Sequence, residues 1–296
     1  MSALCAGMVA IVTGAGAAGD GIGNGRAAAI RLAEAGARVA LVDVGESVFR
    51  TREMILERGG TATAYRCDVT DETAVATAVA DVVGRWGRID ILFNNVGIAG
   101  PPGTVVDVDL DAWTRCLEVN LTSMLLVSRH VVPAMVAGDG GSIINMSSLA
   151  GIRGGHAGIS YATTKGAVLS LTQAMAAHHG RQGVRVNAVA PGLVYTPMVS
   201  TKAGADDAFR ATRSSLNLLG TEGTGWDVAE AVVWLASPAS RWVTGTVLPI
   251  DAGASSYSSA IAVSITDSGA SEAPASVGGR ISAADNGFRK GDSNHD

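Results

Sequence analysis

The sequence predicts an α/β fold: a single doubly wound domain with a seven-stranded, mainly parallel sheet and helices on both faces. Three observations predict it. Short apolar runs recur along the chain, most of them continuous rather than alternating; that is the mark of strands buried on both faces. Segments with apolar residues at helical spacing lie between those runs, and strand alternating with helix implies βαβ units. A glycine-rich stretch, TGAGAAGDGIGNG at 13–25, follows the first run directly, where this architecture places a phosphate-binding turn.

The elements follow in order. Strands are expected at 8–12 (MVAIV), 38–42 (RVALV), 63–67 (TAYRC), 89–93 (IDILF), 142–146 (SIINM), 184–190 (VRVNAVA) and 246–250 (TVLPI). Helices are expected at 24–36, 71–87, 111–136 and 159–180, the first ending on a glycine suited to the position past a helix end. Residues 193–225 read as a long connection with a short helix near ADDAFRATR, a lid or substrate-binding element. The domain is expected to span 1–255. Residues 256–296, rich in Ser, Ala, Gly and Asp, read as a tail that buries too little apolar surface to order itself alone.

Composition excludes several function classes. The 296 residues carry a formal net charge of −5 and no basic cluster, which argues against nucleic acid or an anionic membrane as partner. The first apolar run is too short to span a bilayer. Cys5, Cys67 and Cys116 have no metal-ligand spacing; a reducing, cytoplasmic setting is expected.

The glycine loop must turn tightly and aim a helix N-terminus at a pyrophosphate. The literal G-x-G-x-x-G is Gly14, Gly16 and Gly19. A helix starting near Gly19 would hold Gly21, Gly23 and Gly25 in its first turns, each costing up to about 1 kcal/mol relative to Ala. The reading is therefore that Asp20 caps the helix and that Gly21, Ile22 and Gly23 form its first turn. Gly14, Gly16, Gly21 and Gly23 would face the cofactor, with Ile22 beneath the pyrophosphate. Asp43, 20 residues after Gly23, ends the second strand and is followed by Val44 rather than Arg. A carboxylate there accepts from ribose hydroxyls and repels a 2′-phosphate, so NAD is the expected cofactor.

In YATTK, Tyr161 and Lys165 stand at i and i+4 on one helix face. A phenol of ordinary pKa near ~10 is a poor acid–base group at neutral pH. A neighbouring ammonium favours the phenolate, and the pair can exchange a proton with an alcohol or carbonyl oxygen.

With these residues the chain resembles the short-chain dehydrogenase/reductase family over about 5–254. The match rests on Thr13–Gly14, CDVTD at 67–71, NNVG at 94–97, EVNLTS at 118–123, INMSS at 144–148, YATTK at 161–165, APGLVYTPM at 190–198 and VLPIDAG at 247–253. The resemblance implies roles. Tyr161 would be the general acid/base, Lys165 would lower its pKa and hold the nicotinamide ribose, and Ser148, rather than Ser147, would bond the substrate oxygen. Asn120 would fix a water linking Lys165 to solvent. Asp68 and Val69 would flank the adenine, Asn94 the adenosine ribose, and Thr196, beyond Pro191 and Gly192, the carboxamide; Gly97 belongs to the same cofactor set. Hydride would pass between substrate carbon and nicotinamide, and oxidation is the expected direction. Leu149, Ile152, His156, Tyr195 and Met198 would line a mostly apolar cleft for a secondary alcohol with an apolar or aromatic flank. Homo-oligomers, tetramers or dimers, are expected through the long helices.

Two departures stand out. The family loop is T-G-x-x-x-G-x-G, and here the loop is read as about three residues longer, with the excess in AAGD; Val96 stands where Ala is commoner. Asp107, Asp109, Asp111 and Glu118 mimic calcium-loop spacing, but Ala112 occupies the glycine position. Asp109 or Asp111 is more simply a helix cap, and no metal is expected. His178 and His179 suit a helix C-terminus. Trp86, Trp113, Trp234 and Trp242 read as packing residues. The alternatives are a 3-oxoacyl-type ketoreductase, disfavoured by Asp43, and a non-catalytic NAD sensor or scaffold, disfavoured by the full Asn120–Ser148–Tyr161–Lys165 set.

Overall fold

A computed structural model describes residues 3–155, 157–200 and 206–256. The chain enters at β1 (Val9–Thr13), passes the glycine loop and forms α1 (Asn24–Glu34). β2 (Arg38–Asp43), α2 (Ser47–Glu57), β3 (Thr61–Arg66), α3 (Glu72–Trp86) and β4 (Ile91–Asn94) follow. α4 (Leu110–Leu117) runs through a π turn at Glu118–Thr122 into α5 (Ser123–Ala137). Next come β5 (Gly141–Met146), α6 (Ile159–His179) and β6 (Val184–Pro191). β7 (Val194–Tyr195), α7 (Pro197–Ser200), α8 (Asp207–Ser214) and β8 (Gly223–Thr224) make the long connection, and β7 pairs with β8. α9 (Gly225–Ala236) and β9 (Val247–Ile250) complete the described fold.

Seven strands form one sheet in the order β3-β2-β1-β4-β5-β6-β9. Every pairing is parallel, and each expected strand is present to within two residues at either end. The continuous apolar runs have their physical reason in the two cores. Ala10 and Val12 of β1 pack with α1, α2 and α9, while Val9 and Ile11 pack with α3, α5 and α6 on the other face. Fully burying one such Val or Ile contributes about 1.5–3 kcal/mol. The strand order reverses between β1 and β4, so a crevice opens past their carboxyl ends.

Several helix ends carry their own caps. Asp71 accepts from the N–H groups of Thr73 and Ala74, and Gly87 ends α3 at φ +77°, a backbone state that glycine adopts freely. Asp109, not Asp111, caps α4 by accepting from Ala112 N–H at 2.7 Å. α2 and α9 were not read from the sequence, although α9 carries a capping box between Thr224 and Asp227. The continuous helix Leu110–Ala137 is long and apolar enough to cross a membrane, but half of its most apolar window is buried inside the fold. Trp242 departs from its expected packing role: it is 91% exposed, and Trp234 is 39% exposed. The tail expected at 256–296 lies, beyond Ser256, outside the described residues.

Candidate active site

A cleft of about 900 Å³ opens at the carboxyl ends of the strands. Gly14, Gly16 and Gly23 line it beside β1, Asp43, Asp68 and Val69 line it beside β2 and β3, and Gly97 lines it past β4. Ser148, Leu149, Tyr161 and Lys165 lie opposite, and Pro191, Gly192, Thr196 and Met198 close the far wall.

The glycine loop corrects the expected register. α1 starts at Asn24 with Gly23 as its N-cap and no side-chain cap. Asp20 does not cap the helix; it is exposed and pairs with Arg50 at 3.0 Å. Gly21 and Ile22 lie outside the first turn and do not line the cleft; Ile22 packs against the core beneath α1. The G-x-G that begins the helix is therefore Gly23–Asn24–Gly25, and the enlargement runs through Gly21 and Ile22. Gly25 decides this register. It is buried, and a Cβ there would collide with the Gly14 carbonyl oxygen and lie 2.6 Å from Asn95 Nδ2. Gly14 itself stands at φ +64°. Gly25→Ala is expected to cost about 1–3 kcal/mol and to weaken binding of a reduced nicotinamide cofactor. Melting curves with and without NADH check both; an unchanged melt and unchanged binding would return the register to Gly21–Gly23.

The enlarged loop is held by one side chain. Arg26, fully buried, donates to the carbonyls of Gly19 and Gly21 at 2.7 Å each and to those of Ala17 and Ser47 at 3.2 Å each. Its Nε donates to Thr51 Oγ1 at 2.9 Å, and Thr51 donates on to Ala15 O at 2.7 Å. Burial lowers the Arg26 pKa, opposed by the charges of Asp20 and Asp43.

The residues present fit a dinucleotide. The uncapped start of α1 leaves backbone N–H groups free for a phosphate, and Asn24, its first residue, has a buried side-chain oxygen with no partner. Asp43 is held in place, accepting from Gly16 N–H and Gly45 N–H at 2.8 Å each. Asp68 accepts from the N–H and hydroxyl of Thr70 at 2.9 and 2.8 Å, contacts that hold its carboxyl below the usual range. Asn94 is corrected: its amide donates to Ser128 and Asn145 inside the fold. The next residue, Asn95, lines the cleft and donates to the carbonyls of Thr13 and Gly14.

The candidate reacting groups converge on β5, the π turn and α6. Ser147 is turned inward, donating to Lys165 O at 2.7 Å, so Ser148 is the serine free to face the cleft, and it hydrogen-bonds Tyr161. Lys165 Nζ donates to Met146 O at 2.9 Å and lies 5.5 Å from the centre of the Tyr161 ring. Burial pulls the Lys165 pKa down to about 8. The expected lowering of the Tyr161 pKa by Lys165 is not what this geometry produces. Burial raises it, and the Ser148 hydrogen bond offsets part of the rise. The ammonium faces the ring and a carbonyl rather than the phenolic oxygen. Asn120 sits in the π turn, an irregularity frequent at functional sites that a helical pattern does not reveal. Its Oδ1 accepts from Ile98 N–H at 2.8 Å, and its amide donates to Ile98 O and Thr164 Oγ1. A Cβ on Gly97 would lie 3.2 Å from Lys165 Nζ and 3.4 Å from Asn120 Oδ1, so glycine keeps that gap open.

The substrate side differs from expectation in two places. Tyr195 does not line the cleft; it pairs with β8, and Arg210 lies 4.7 Å over its ring. Ile152 does not line it either. His156 lies outside the described residues. Arg115 and Arg213 do line it and were missed, because a lone arginine in a helix has no spacing that points inward.

A family model described as Enoyl-(Acyl carrier protein) reductase matches residues 16–255. The cis-4-hydroxycyclohexanecarboxylate dehydrogenase of Sinomonas cyclohexanicum is 38% identical over 245 residues, 83% of this chain and 95% of that protein. The 2,5-dichloro-2,5-cyclohexadiene-1,4-diol dehydrogenase of Sphingobium indicum is 34% identical over 236 residues, 79% of this chain and 94% of that protein. A short-chain dehydrogenase/reductase crystal structure from Burkholderia xenovorans superposes with a TM-score of 0.81 at 42% identity, covering 87% of this chain and 100% of the other. With a parallel sheet in this order, a helix start facing the cleft and Ser148, Tyr161 and Lys165 gathered at one wall, the chain belongs to the short-chain dehydrogenase/reductase family and is an oxidoreductase.

Proposed function

We propose that the protein is an NAD-dependent alcohol dehydrogenase that interconverts an alicyclic secondary alcohol and its ketone. The observation that carries this reading is the hydrogen-bonded Ser148–Tyr161 pair above the buried Lys165. Ser148 and Tyr161 bind the substrate oxygen between them. Tyr161 takes the hydroxyl proton during oxidation and returns it during reduction. Lys165 holds the nicotinamide ribose and keeps positive charge beneath the phenol. Bound in its oxidised form, the nicotinamide supplies the hydride acceptor and a further positive charge that favours the phenolate. The carbocyclic alcohols named for the two relatives support the ring, in place of a broadly apolar or aromatic flank.

Asp43 supports NAD over NADP, since a carboxylate ending the second strand accepts from ribose hydroxyls and repels a 2′-phosphate, and two backbone N–H groups hold this one in place. Arg66, which reaches the Val44 carbonyl at 3.3 Å, is engaged by Glu46 at 2.8 Å. A panel of cyclohexanols and decalols, followed at the absorbance of reduced cofactor, tests the reading. Turnover is expected with NAD at least about a hundredfold above NADP in kcat/KM, and Asp43→Ser should narrow that ratio tenfold or more, roughly the 1.4 kcal/mol a lost charge repulsion represents. Preference for NADP in the unmodified enzyme would overturn the cofactor assignment. We further propose a homo-oligomer through α4, α5 and α6, supported by the exposed Leu110 and Leu125; light scattering coupled to gel filtration reads the mass. The free, buried thiols of Cys5, Cys67 and Cys116 suit the cytoplasm.

A further inference from the structure

We infer that Arg213 anchors an anionic group of the substrate, so that the preferred substrate is a hydroxy-carboxylate rather than a neutral alcohol. This rests on the secondary-alcohol reading of the same cleft and names its substrate class.

Arg213 lies in the last turn of α8 and lines the cleft that Ser148, Tyr161 and Met198 also line. Its guanidinium is only partly used. One terminal nitrogen donates to Val194 O at 3.1 Å, and the group lies 5.4 Å over the Phe209 ring. Its Nε is buried and has no hydrogen-bond partner. Among the described residues no carboxylate pairs with it. The nearby Glu222 is taken by Arg210, which contacts both of its oxygens at 2.6–3.1 Å. The two arginines of α8 thus differ: Arg210 holds the Glu222 carboxylate directly, and Arg213 feels that charge without pairing with it.

Among the described residues the cleft lining supplies no carboxylate that pairs with Arg213, and Glu222 acts on it only through its charge. The lining carboxylates are Asp43 and Asp68, and both stand at the β2 and β3 ends, already accepting backbone N–H groups. The contacts of Arg213 itself are the Val194 carbonyl and the Phe209 ring, and the cleft lining also carries the apolar Leu149, Leu193, Met198 and Val199. Guanidinium stays charged in proteins, and a charge beside apolar walls without a partner is unfavourable. A carboxylate presents two oxygens to such a fork, the geometry that makes this pairing strong and directional. The sequence-based expectation of an apolar cleft therefore holds for the wall and fails for this one group.

The probes are cyclohexanecarboxylate and cyclohexanecarboxamide, which share a ring and lack the reacting hydroxyl, with 4-hydroxycyclohexanecarboxylate and its methyl ester as substrates. Binding of the first pair to the enzyme–NADH complex is read by NADH fluorescence. The carboxylate should bind roughly tenfold to a hundredfold more tightly than the amide. Arg213→Gln should collapse that ratio towards one, Arg213→Lys should restore part of it, and the dissociation constant for NADH alone should stay the same. With the substrates, the loss should fall on KM for the acid rather than on kcat. An acid-to-amide ratio near one in the unmodified enzyme, or one that survives Arg213→Gln, overturns the anchor. Weakened binding of NADH alone in Arg213→Gln also overturns it, because the anion held would then be a cofactor phosphate. The two readings fail separately. Carboxylate binding that depends on Arg213, without turnover of either alcohol, leaves the anchor and removes the dehydrogenase reading; turnover indifferent to Arg213 does the reverse.

Discussion

Tyr161→Phe is expected to lower kcat by about a thousandfold, within the range that a positioned acid–base group contributes, while NADH still binds. The phenol is the one group here that both bonds Ser148 and can exchange a proton with the substrate oxygen. Removing its oxygen leaves the ring packing and the Lys165 contact over it in place. Stopped-flow turnover and NADH fluorescence titration separate the two effects. Normal turnover in the variant would remove Tyr161 from the reaction; loss of NADH binding would make its role structural. The pH dependence follows from the same geometry. Alcohol oxidation needs the ionised phenol, and burial holds its pKa above the ordinary value. The oxidation rate should therefore rise as pH rises from neutral, whereas ketone reduction, which needs the protonated phenol, should stay level over that range and fall only as pH approaches the raised pKa. Lys165, pulled down to about 8, titrates nearby, so the apparent pKa values read from kcat belong to the pair.

Arg26→Ala should produce the largest loss of stability of any substitution in the glycine loop, about 3 kcal/mol or more. One guanidinium satisfies four carbonyls and a hydroxyl there. Hydrogen bonds to charged groups are worth more than neutral ones, and buried acceptors left alone are costly. For a domain of this size that loss corresponds to roughly 6–12 °C in melting temperature. NADH affinity should fall at least about tenfold, because the loop that presents the start of α1 loses its fixed path. Arg26→Lys keeps the charge but reaches fewer carbonyls, and should fall between. A melt like that of the unmodified protein in Arg26→Ala would show that the loop holds its shape without the clamp.

The fold was legible because its strands are buried on both sides. Continuous runs such as VAIVT and RVALV have no other economical use in a chain this size, and the helices between them carry their own end signals at Asp71, Gly87 and Asp109. The grouping of the proposed reacting residues was legible as well. Tyr161 and Lys165 share a helix face by their spacing, and the choice of Ser148 over Ser147 agrees with the inward turn of Ser147 onto the Lys165 carbonyl. Other positions were not. Asn94 and Asn95 are neighbours with the same side chain, and only strand alternation at the end of β4 decides that the first enters the core and the second the cleft. Tyr195 looked like a cleft aromatic until β7 paired with β8 and Arg210 covered its ring.

The glycine stretch at 13–25 divides the two kinds of information most clearly. That a helix begins within it follows from the chain alone: a buried strand ends at Thr13, a helical pattern begins by Ala27, and glycines fill the space between. Where the helix begins does not follow, because glycine carries no side chain and several registers satisfy the same spelling. The choice of Gly23–Asn24–Gly25 is made by contacts distant in sequence: Gly25 against the Gly14 carbonyl, and Arg26 reaching Thr51 and Ser47 as well as the loop itself. The unpaired charge of Arg213 is of the same kind. Its sequence shows only an arginine in a polar helix, and the loss of its neighbour's carboxylate to Arg210 exists only once α8, β8 and the cleft wall have come together.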